Sequence, residues 1–425
     1  MRAAPPALSI VFGASPPKGR PRYLPALDSL RFFAALFVAG GHYAGAYREQ
    51  PLSEGLMSLT GLGMTLFFVL SGFVIHYNYH EVLKQPGGLK LFLVARFARL
   101  YPLFILLFVL EFAYVFATRS GACGHEGLRG GLLLAIPYYV TFTQSWFYGT
   151  ICKASLIYQY GPISAVTWSL SVEAFFYVSY IALRTRLGGD DPNALRAVRL
   201  AIFTYLALIA YLLLCGAFES EIDRIGETAF GPVASSQYGY RDSLLRWLYY
   251  FNPLARVPEF IAGAAAAQAY LSHAKSQTST IFRSGAVTAA LVFAVFAVHL
   301  GLYLGVAPHN GFVGRIASLL YGPLIALLIY SLVRLPAPPP LLCHPLILAL
   351  GQSSYSIYLL HEVLPSLTHR MGLYDLALAP AWVVWSASLV ILLAASRVSY
   401  LTIEKPARAA IRRFAKGGSP LDMVT

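Results

Sequence analysis

The sequence predicts an all-α integral membrane protein with about ten transmembrane helices and both termini in the cytoplasm. Three observations predict it. The chain of 425 residues is 57% hydrophobic and only 12% charged, whereas a soluble domain carries about 25% charged residues. Its mean hydropathy is +0.61, more apolar surface than a soluble chain of this length can hide. Finally, apolar runs near the ~20 residues that a helix needs to cross the hydrocarbon core recur along the whole chain. They are not a single N-terminal segment ahead of a polar body.

Taken in order, the spans fall near residues 30–48, 60–80, 99–117, 168–184, 198–217, 252–271, 285–305, 314–333, 346–365 and 380–400. With the N-terminus inside, 21 of the 32 Lys and Arg lie on the cytoplasmic side, ten lie outside, and Arg397 sits within the last span. That bias is the positive-inside pattern and sets the orientation. The net charge of +13 has the same origin. The basic residues flank apolar runs, where they meet anionic lipid headgroups, instead of clustering with aromatics on one surface. Membrane lipid is an expected partner and nucleic acid is not. Residues 1–23 and 411–425 read as flexible cytoplasmic tails around a membrane domain of residues 24–410.

Two outside segments depart from a plain span-and-loop scheme. In residues 118–167 the apolar stretch from Gly131 to Trp146 either spans or re-enters, and Pro137 with its interfacial aromatics favours re-entry. Residues 218–246, with Glu219, Glu221, Asp223 and Glu227, read as a solvated loop. Cys123 and Cys152 share the first segment and can form a disulfide in an oxidising compartment; the alternative is two unrelated thiols. Cys215 and Cys343 fall in or beside spans. The isolated Cys123-Gly124-His125 is too little for a metal site, and no metal is expected.

Ionisable groups inside hydrocarbon are costly and therefore functional candidates. Arg31 and His42 are 11 positions apart, which places them about 20° apart around a helix and roughly 16 Å apart along it. One face thus carries an anion-binding group near the cytoplasm and a titratable imidazole deeper in, the side chain suited to taking and returning a proton. The alternative for this pair is an anchor arginine and a histidine bonded between helices. Ser71 and Gly72 let another helix or a ligand approach the second span closely. The junction Arg96-Phe97-Ala98-Arg99-Leu100-Tyr101-Pro102 is either a positive-inside anchor or a clamp for phosphates, which arginine forks match. Trp168-Ser169-Leu170-Ser171-Val172-Glu173 puts a carboxylate one turn inside a span, to orient a histidine or pair with an arginine. Arg256 and Glu259, three apart, read as a structural pair. Ser354, Tyr358 and His361 form a polar stripe on the ninth span, and Glu404-Lys405-Pro406 closes the last, where Pro406 stops the helix.

Together these segments resemble the acyltransferase 3 family of membrane acyltransferases. The matching pieces are Leu27-Asp28-Ser29-Leu30-Arg31 with the Arg-x10-His spacing to His42, and Phe67-Phe68-Val69-Leu70-Ser71-Gly72-Phe73. They continue with Arg96 to Pro102, Trp168 to Glu173, Gly351 to His361, and Ile403-Glu404-Lys405-Pro406. The likeness covers about residues 24–410. It implies a ten-span inner (plasma) membrane enzyme that moves an acyl group, commonly acetyl, from cytoplasmic acyl-CoA to a hydroxyl of a saccharide or glycolipid acceptor. No bound cofactor is expected. On this reading His42, Glu173 and His361 are catalytic, with Glu173 orienting or charge-stabilising a reacting imidazole. Arg31, Arg96, Arg99, Ser71 and Tyr101 bind the donor, and Trp168, Ser171, Tyr355, Tyr358 and Glu404 support the site. The extracytoplasmic hydrolase-like domain that some members carry after the core is not expected here. The rival reading is a transporter or flippase of lipid-linked saccharides, which would consume no thioester.

The charge bias has a direct check. A green fluorescent protein fused after Thr425 is expected to fluoresce, and alkaline phosphatase at the same point to stay silent; the reverse outcome would invert the topology.

Overall fold

The computed structural model describes residues 23–45, 53–118, 131–152, 154–188, 194–273, 281–305, 319, 321–370 and 380–415. Sixteen helices among them build the bundle and its site. They are α1 Pro25–Gly45, α2 Ser53–Tyr79, α3 Gly88–Thr118, α4 Gly131–Val140, α5 Pro162–Val166, α6 Trp168–Leu183, α7 Ala194–Ala217 and α8 Glu219–Phe230. The rest are α9 Pro253–His273, α10 Gly285–Gly305, α11 Gly322–Arg334, α12 Pro345–Gln352, α13 Ser354–Leu360, α14 Val363–Arg370, α15 Ala381–Ser399 and α16 Lys405–Ala415. Strands β1 Thr150–Ile151 and β2 Ala154–Ser155 form a two-residue antiparallel ladder. Six helical stretches are long and apolar enough to cross a membrane: α2, α3, α5 with α6, α7, α10, and α15 with α16. Their outward faces carry large bare side chains, Phe203 67% and Phe293 75% exposed, which suits lipid and not water.

Helices α1 and α9 are not among the six, because they carry the charges: Asp28, Arg31 and His42 on one, Arg256 and Glu259 on the other. They flank α2 in the middle of the bundle, joined to it by glycines. A Cβ at Gly63 would lie 2.7 Å from the Ala34 carbonyl oxygen of α1. On the opposite face of α2, a Cβ at Gly72 would lie 1.9 Å from the Phe260 oxygen, and one at Gly263 of α9 1.9 Å from the Val69 oxygen. Helix backbones approach this closely only where side chains are missing. The same device seats α12 on α1, where a Cβ at Gly351 would meet the Asp28 oxygen at 2.1 Å.

Buried charge at the centre is neutralised locally. Arg256 Nη1 donates to Glu259 Oε1 at 3.2 Å with both side chains fully buried, and Thr65 Oγ1 donates to the same oxygen at 2.6 Å. The guanidinium lies 4.6 Å from the Tyr250 ring and 5.3 Å from Phe68, so aromatic faces supply much of its remaining surroundings. The structural reading of this pair agrees with its geometry.

The segment after α3 doubles back. Helix α4 has ten residues and is about 15 Å long, half the ~30 Å hydrocarbon thickness. It runs antiparallel to α3, Tyr139 stacking on Phe108 at 5.5 Å, and just beyond it Phe142 lies tilted against Phe104 at 4.6 Å. The chain turns at Phe142, whose φ of 53° is left-handed and tolerated because its ring is held between Tyr101 and Phe104. It returns to Glu111 of α3, whose carboxylate accepts the Ile163 and Ser164 amides at 2.6 and 2.8 Å and so caps α5. The ten described helical residues of α4 are too few by themselves to cross the hydrocarbon core.

Residues 218–246 correct the sequence expectation of a solvated loop. Most of the acidic residues lie on α8, where Asp223 is buried and accepts from the Ser236 amide at 2.8 Å and its hydroxyl at 2.5 Å. Glu219 accepts from Tyr249 at 2.9 Å. Acidic groups in the first turn favour the helix. This segment meets the doubled-back one: Ser155 donates through its amide and hydroxyl to Asp242 Oδ1, and Trp247 donates to the Ser145 carbonyl. Tyr148 donates to the Asp242 carbonyl at 2.8 Å, and burial together with the nearby Asp242 carboxylate pushes its phenol up, so it stays a donor. Cys152 is disulfide-bonded, Cys215 and Cys343 are free thiols, and Cys123 lies outside the described residues.

Pro406 does not stop the last helix, contrary to expectation. Helix α15 widens into a π-turn at Tyr400–Glu404 and continues as α16. The wider spacing relieves the clash that a proline ring makes with the carbonyl four residues back, and Pro406 falls at the second position of α16, where a missing N–H costs little.

The glycine contacts predict a paired outcome. Gly72→Ala must displace the Phe260 backbone, at a cost of about 1–3 kcal/mol, read as a clear drop in melting temperature of the detergent-solubilised protein. Gly301, with nothing within 4 Å of its Cβ position, should accept alanine with a gain of about 0.4–1 kcal/mol. Equal effects at the two sites would overturn the packing account.

Candidate active site

Two clusters of polar groups sit on the inner faces of α1, α2, α3, α6 and α13, and one tyrosine touches both. The first surrounds a partly open cleft lined by Arg31, Ser71, Arg96, Arg99, Glu173, Tyr355 and Tyr358 with apolar side chains of α2. Arg31 Nη1 is bonded to Asp28 Oδ1 at 2.7 Å, and Tyr23 donates to the other oxygen of that carboxylate at 2.8 Å. Arg96 donates to the Tyr79 hydroxyl at 2.9 Å and lies over the Tyr79 and Tyr177 rings. Arg99 has no carboxylate partner among the described residues. Glu173 is the acidic lining residue; Tyr177 donates to it at 2.5 Å, and Ser71 at the long limit of 3.5 Å. Three guanidinium groups facing one carboxylate across a partly apolar cavity make a site for a multiply charged anion with an apolar arm.

The second cluster lies at the C-terminal end of α13. Helix α13 ends at Leu360, and Pro365 explains why, since its ring would clash with the His361 carbonyl in a continuous helix. The His361 amide still donates to the Ile357 carbonyl at 3.1 Å, and its ring turns so that Nδ1–H meets the Tyr358 carbonyl at 2.5 Å. His42 Nδ1 lies 3.0 Å from the Val38 carbonyl and 3.2 Å from His361 Nε2. With hydrogen on Nδ1 of each ring, as the carbonyl acceptors require, His42 Nε2 is left as an open lone pair. His361 is fully buried while the His42 side chain is 39% exposed. Glu362 Oε1 stands 3.8 Å from His42 Nε2 and 3.9 Å from His361 Nε2. These donor atoms lie within 4.8 Å of one another, close enough to share a cation. The His361 lone pair, however, is already turned to the His42 Nδ1–H.

Tyr358 is the wall between the clusters. Its hydroxyl donates to the Val166 carbonyl at 2.9 Å and accepts from Ser169 at 2.8 Å, which fixes the ring. One face borders the arginine cavity, edge-on to Phe67 at 5.8 Å, and the ring centre lies 5.4 Å from that of His361.

The sequence-selected residues therefore divide. Arg31, Arg96, Arg99, Ser71, Tyr355 and Tyr358 come together around the cavity, and His42 meets His361. Glu173 departs from its expected role: it is held by Tyr177 beside the arginines, and the carboxylate near the imidazoles is Glu362. Tyr101 also departs, turning away from the cavity to donate to the Val140 carbonyl at 2.5 Å and stack on Phe97. The other supporting residues lie outside both clusters. Trp168 packs on Tyr250 and Phe251, and Ser171 accepts the Ser145 amide through its hydroxyl and the Trp146 indole through its carbonyl. Glu404 accepts from Ser356 and Arg408, tying α16 to α13. Reasoning from sequence missed Glu362 and Tyr177. The available signals were an acidic residue beside His361 and a tyrosine four places after Glu173.

Residues 24–401 match the acyltransferase domain family. An acyltransferase, MdmB, of Streptomyces mycarofaciens is 27% identical over 401 residues, covering 90% of this chain and 91% of that protein. The regulator of hypoxia-inducible factor 1 of Caenorhabditis elegans is 22% identical, covering 90% and 79%. Protein 2 in the picA locus of Rhizobium radiobacter is 41% identical over 92 residues, covering 21% and 44%. No solved structure matches. The chain belongs to the acyltransferase 3 family and is a membrane acyltransferase.

Proposed function

We propose that the protein moves an acyl group, acetyl in the simplest case, from cytoplasmic acyl-CoA to a hydroxyl of a saccharide-containing acceptor at or beyond the inner membrane. The ten-span topology with both termini in the cytoplasm belongs to this reading. The observation that supports it best is the pair of clusters meeting at Tyr358. Arg31, Arg96 and Arg99 are suited to the donor's phosphates, the apolar α2 wall to its pantetheine arm, and His42 to the acceptor.

The chemistry follows from the ring assignment. His42 Nε2 takes the hydroxyl proton as the acceptor oxygen bonds to the thioester carbonyl carbon. The tetrahedral intermediate collapses with cleavage of the carbon–sulfur bond, and the thiolate leaves with the proton returned by the imidazolium. The products are the acyl ester and free CoA. The meeting of residues 131–161 with 230–251 offers aromatic and polar groups to a sugar.

Two outcomes test this. In liposomes with radiolabelled acetyl-CoA and candidate glycans, the wild type should transfer label and His42→Ala should lose about 10²–10⁴-fold in rate. A folded wild type that neither transfers nor hydrolyses any acyl-CoA would bring the saccharide-transport reading forward. Arg99→Gln should raise the donor KM about tenfold or more with kcat little changed, because a charge-assisted contact contributes about 1.5–3 kcal/mol. A fall in kcat at unchanged KM would remove Arg99 from donor binding.

A further inference from the structure

We propose that Glu362 is the positioning residue of the base, holding charge opposite His42 Nε2 as that atom takes the acceptor proton. The inference rests on the transfer reading and adds to it a residue that no motif assigns. Three observations carry it. First, both Nδ1 positions are committed to backbone carbonyls, so the proton taken during reaction goes to His42 Nε2, the atom that faces Glu362 at 3.8 Å. Second, Glu362 is the carboxylate at ion-pair distance from either imidazole among the described residues. Glu173, expected there, is bonded to Tyr177 instead. Third, the side chains beside the neighbouring Gly40 and Gly41 are Trp385 and Thr60, which carry no charge. Among the described residues the transient imidazolium therefore has one nearby anion.

The geometry also shows how the role differs from that of a triad carboxylate. A triad acid grips the Nδ1–H and orients the ring. Here the Val38 carbonyl does that work, and Glu362 faces the reacting nitrogen from the open side. The gap of 3.8 Å is wider than a hydrogen bond. It leaves the acceptor hydroxyl room to approach Nε2 alongside the carboxylate, and the attraction grows only when the ring becomes charged. Such an interaction favours the transition state over the ground state and acts on kcat. The proton passes from the hydroxyl to His42 Nε2 and then to the departing thiolate.

The experiment uses the full chain in liposomes, with acetyl-CoA and whichever glycan the wild type acylates. Glu362→Gln should lower kcat about 10–100-fold, the range typical when a histidine loses its carboxylate partner, and leave the donor KM within about twofold. Glu362→Asp should keep most of the rate. The Glu362 side chain is 30% exposed, so added formate should restore Glu362→Ala in part and do nothing for His42→Ala. A wild-type rate in Glu362→Gln would overturn the inference and leave the transfer reading standing. So would equal loss in Gln and Asp variants without formate rescue, since that pattern marks a structural role. If the wild type transfers from no thioester, the functional reading itself fails and this inference with it.

Discussion

The bundle is organised by one close approach: the backbone of α2 lies against α1 on one face and α9 on the other, with glycines in place of side chains at the contacts. Gly72 and Gly263 face each other's carbonyl-bearing turns reciprocally, and Gly63 admits Ala34. In a lipid environment helices gain nothing from hiding apolar surface from one another, so contact depends on packing and on satisfied polar groups. The α1–α2–α9 layer has both. Its interior is small-residue contact at one level and the Arg256–Glu259–Thr65 group at another. Displacing α2 would separate Ser71 from Glu173 and Phe67 from Tyr358 together, because both pairs depend on the same helix.

The remaining helices act through that layer. Helices α12 and α13 reach it across Gly351, and α16 is pinned to α13 through Glu404, Ser356 and Arg408. The break after Leu360 is the second decisive feature. A continuous helix would commit the Tyr358 carbonyl to the Glu362 amide four residues on. Interruption by Pro365 lets the imidazole fold onto Tyr358 and brings Glu362 toward His42. A proline four residues away thus sets the geometry of the proton-handling cluster.

The division of labour across Tyr358 has a physical logic. On the proposed reading the donor brings several negative charges, which arginine holds well, and those arginines would repel an imidazolium if they shared its pocket. Separating the two by a fixed aromatic wall lets each cluster keep the charge it needs. Placing Glu173 among the arginines offsets part of their mutual repulsion, and Glu362 serves the imidazoles independently.

Much of this was legible in the chain itself. The membrane class, the long helices and the Arg31–His42 face follow from composition and helical periodicity, which are local properties. The grouping of Arg31, Arg96 and Arg99 was expected from their motifs. What the sequence could not decide was anything that depends on side-chain direction across helices. The pattern at Trp168–Glu173 marks a buried carboxylate but cannot say which of two distant partners it faces; the rotation of α6 against α3 gives it to the arginine cluster. Tyr101 sits in a basic motif, yet the doubled-back α4 draws its hydroxyl away. Pro406 reads as a stop because proline breaks α-helices, and only a π-turn, fixed by tertiary packing of Glu404, lets the helix continue. Glu362 is one charged residue beside a histidine in sequence, and it gains meaning when α1 brings His42 to 3.8 Å from its carboxylate. The sequence by itself determined which groups are buried and on which helices; the tertiary structure decided which of them meet, since that depends on helix rotation and on breaks that no local period encodes.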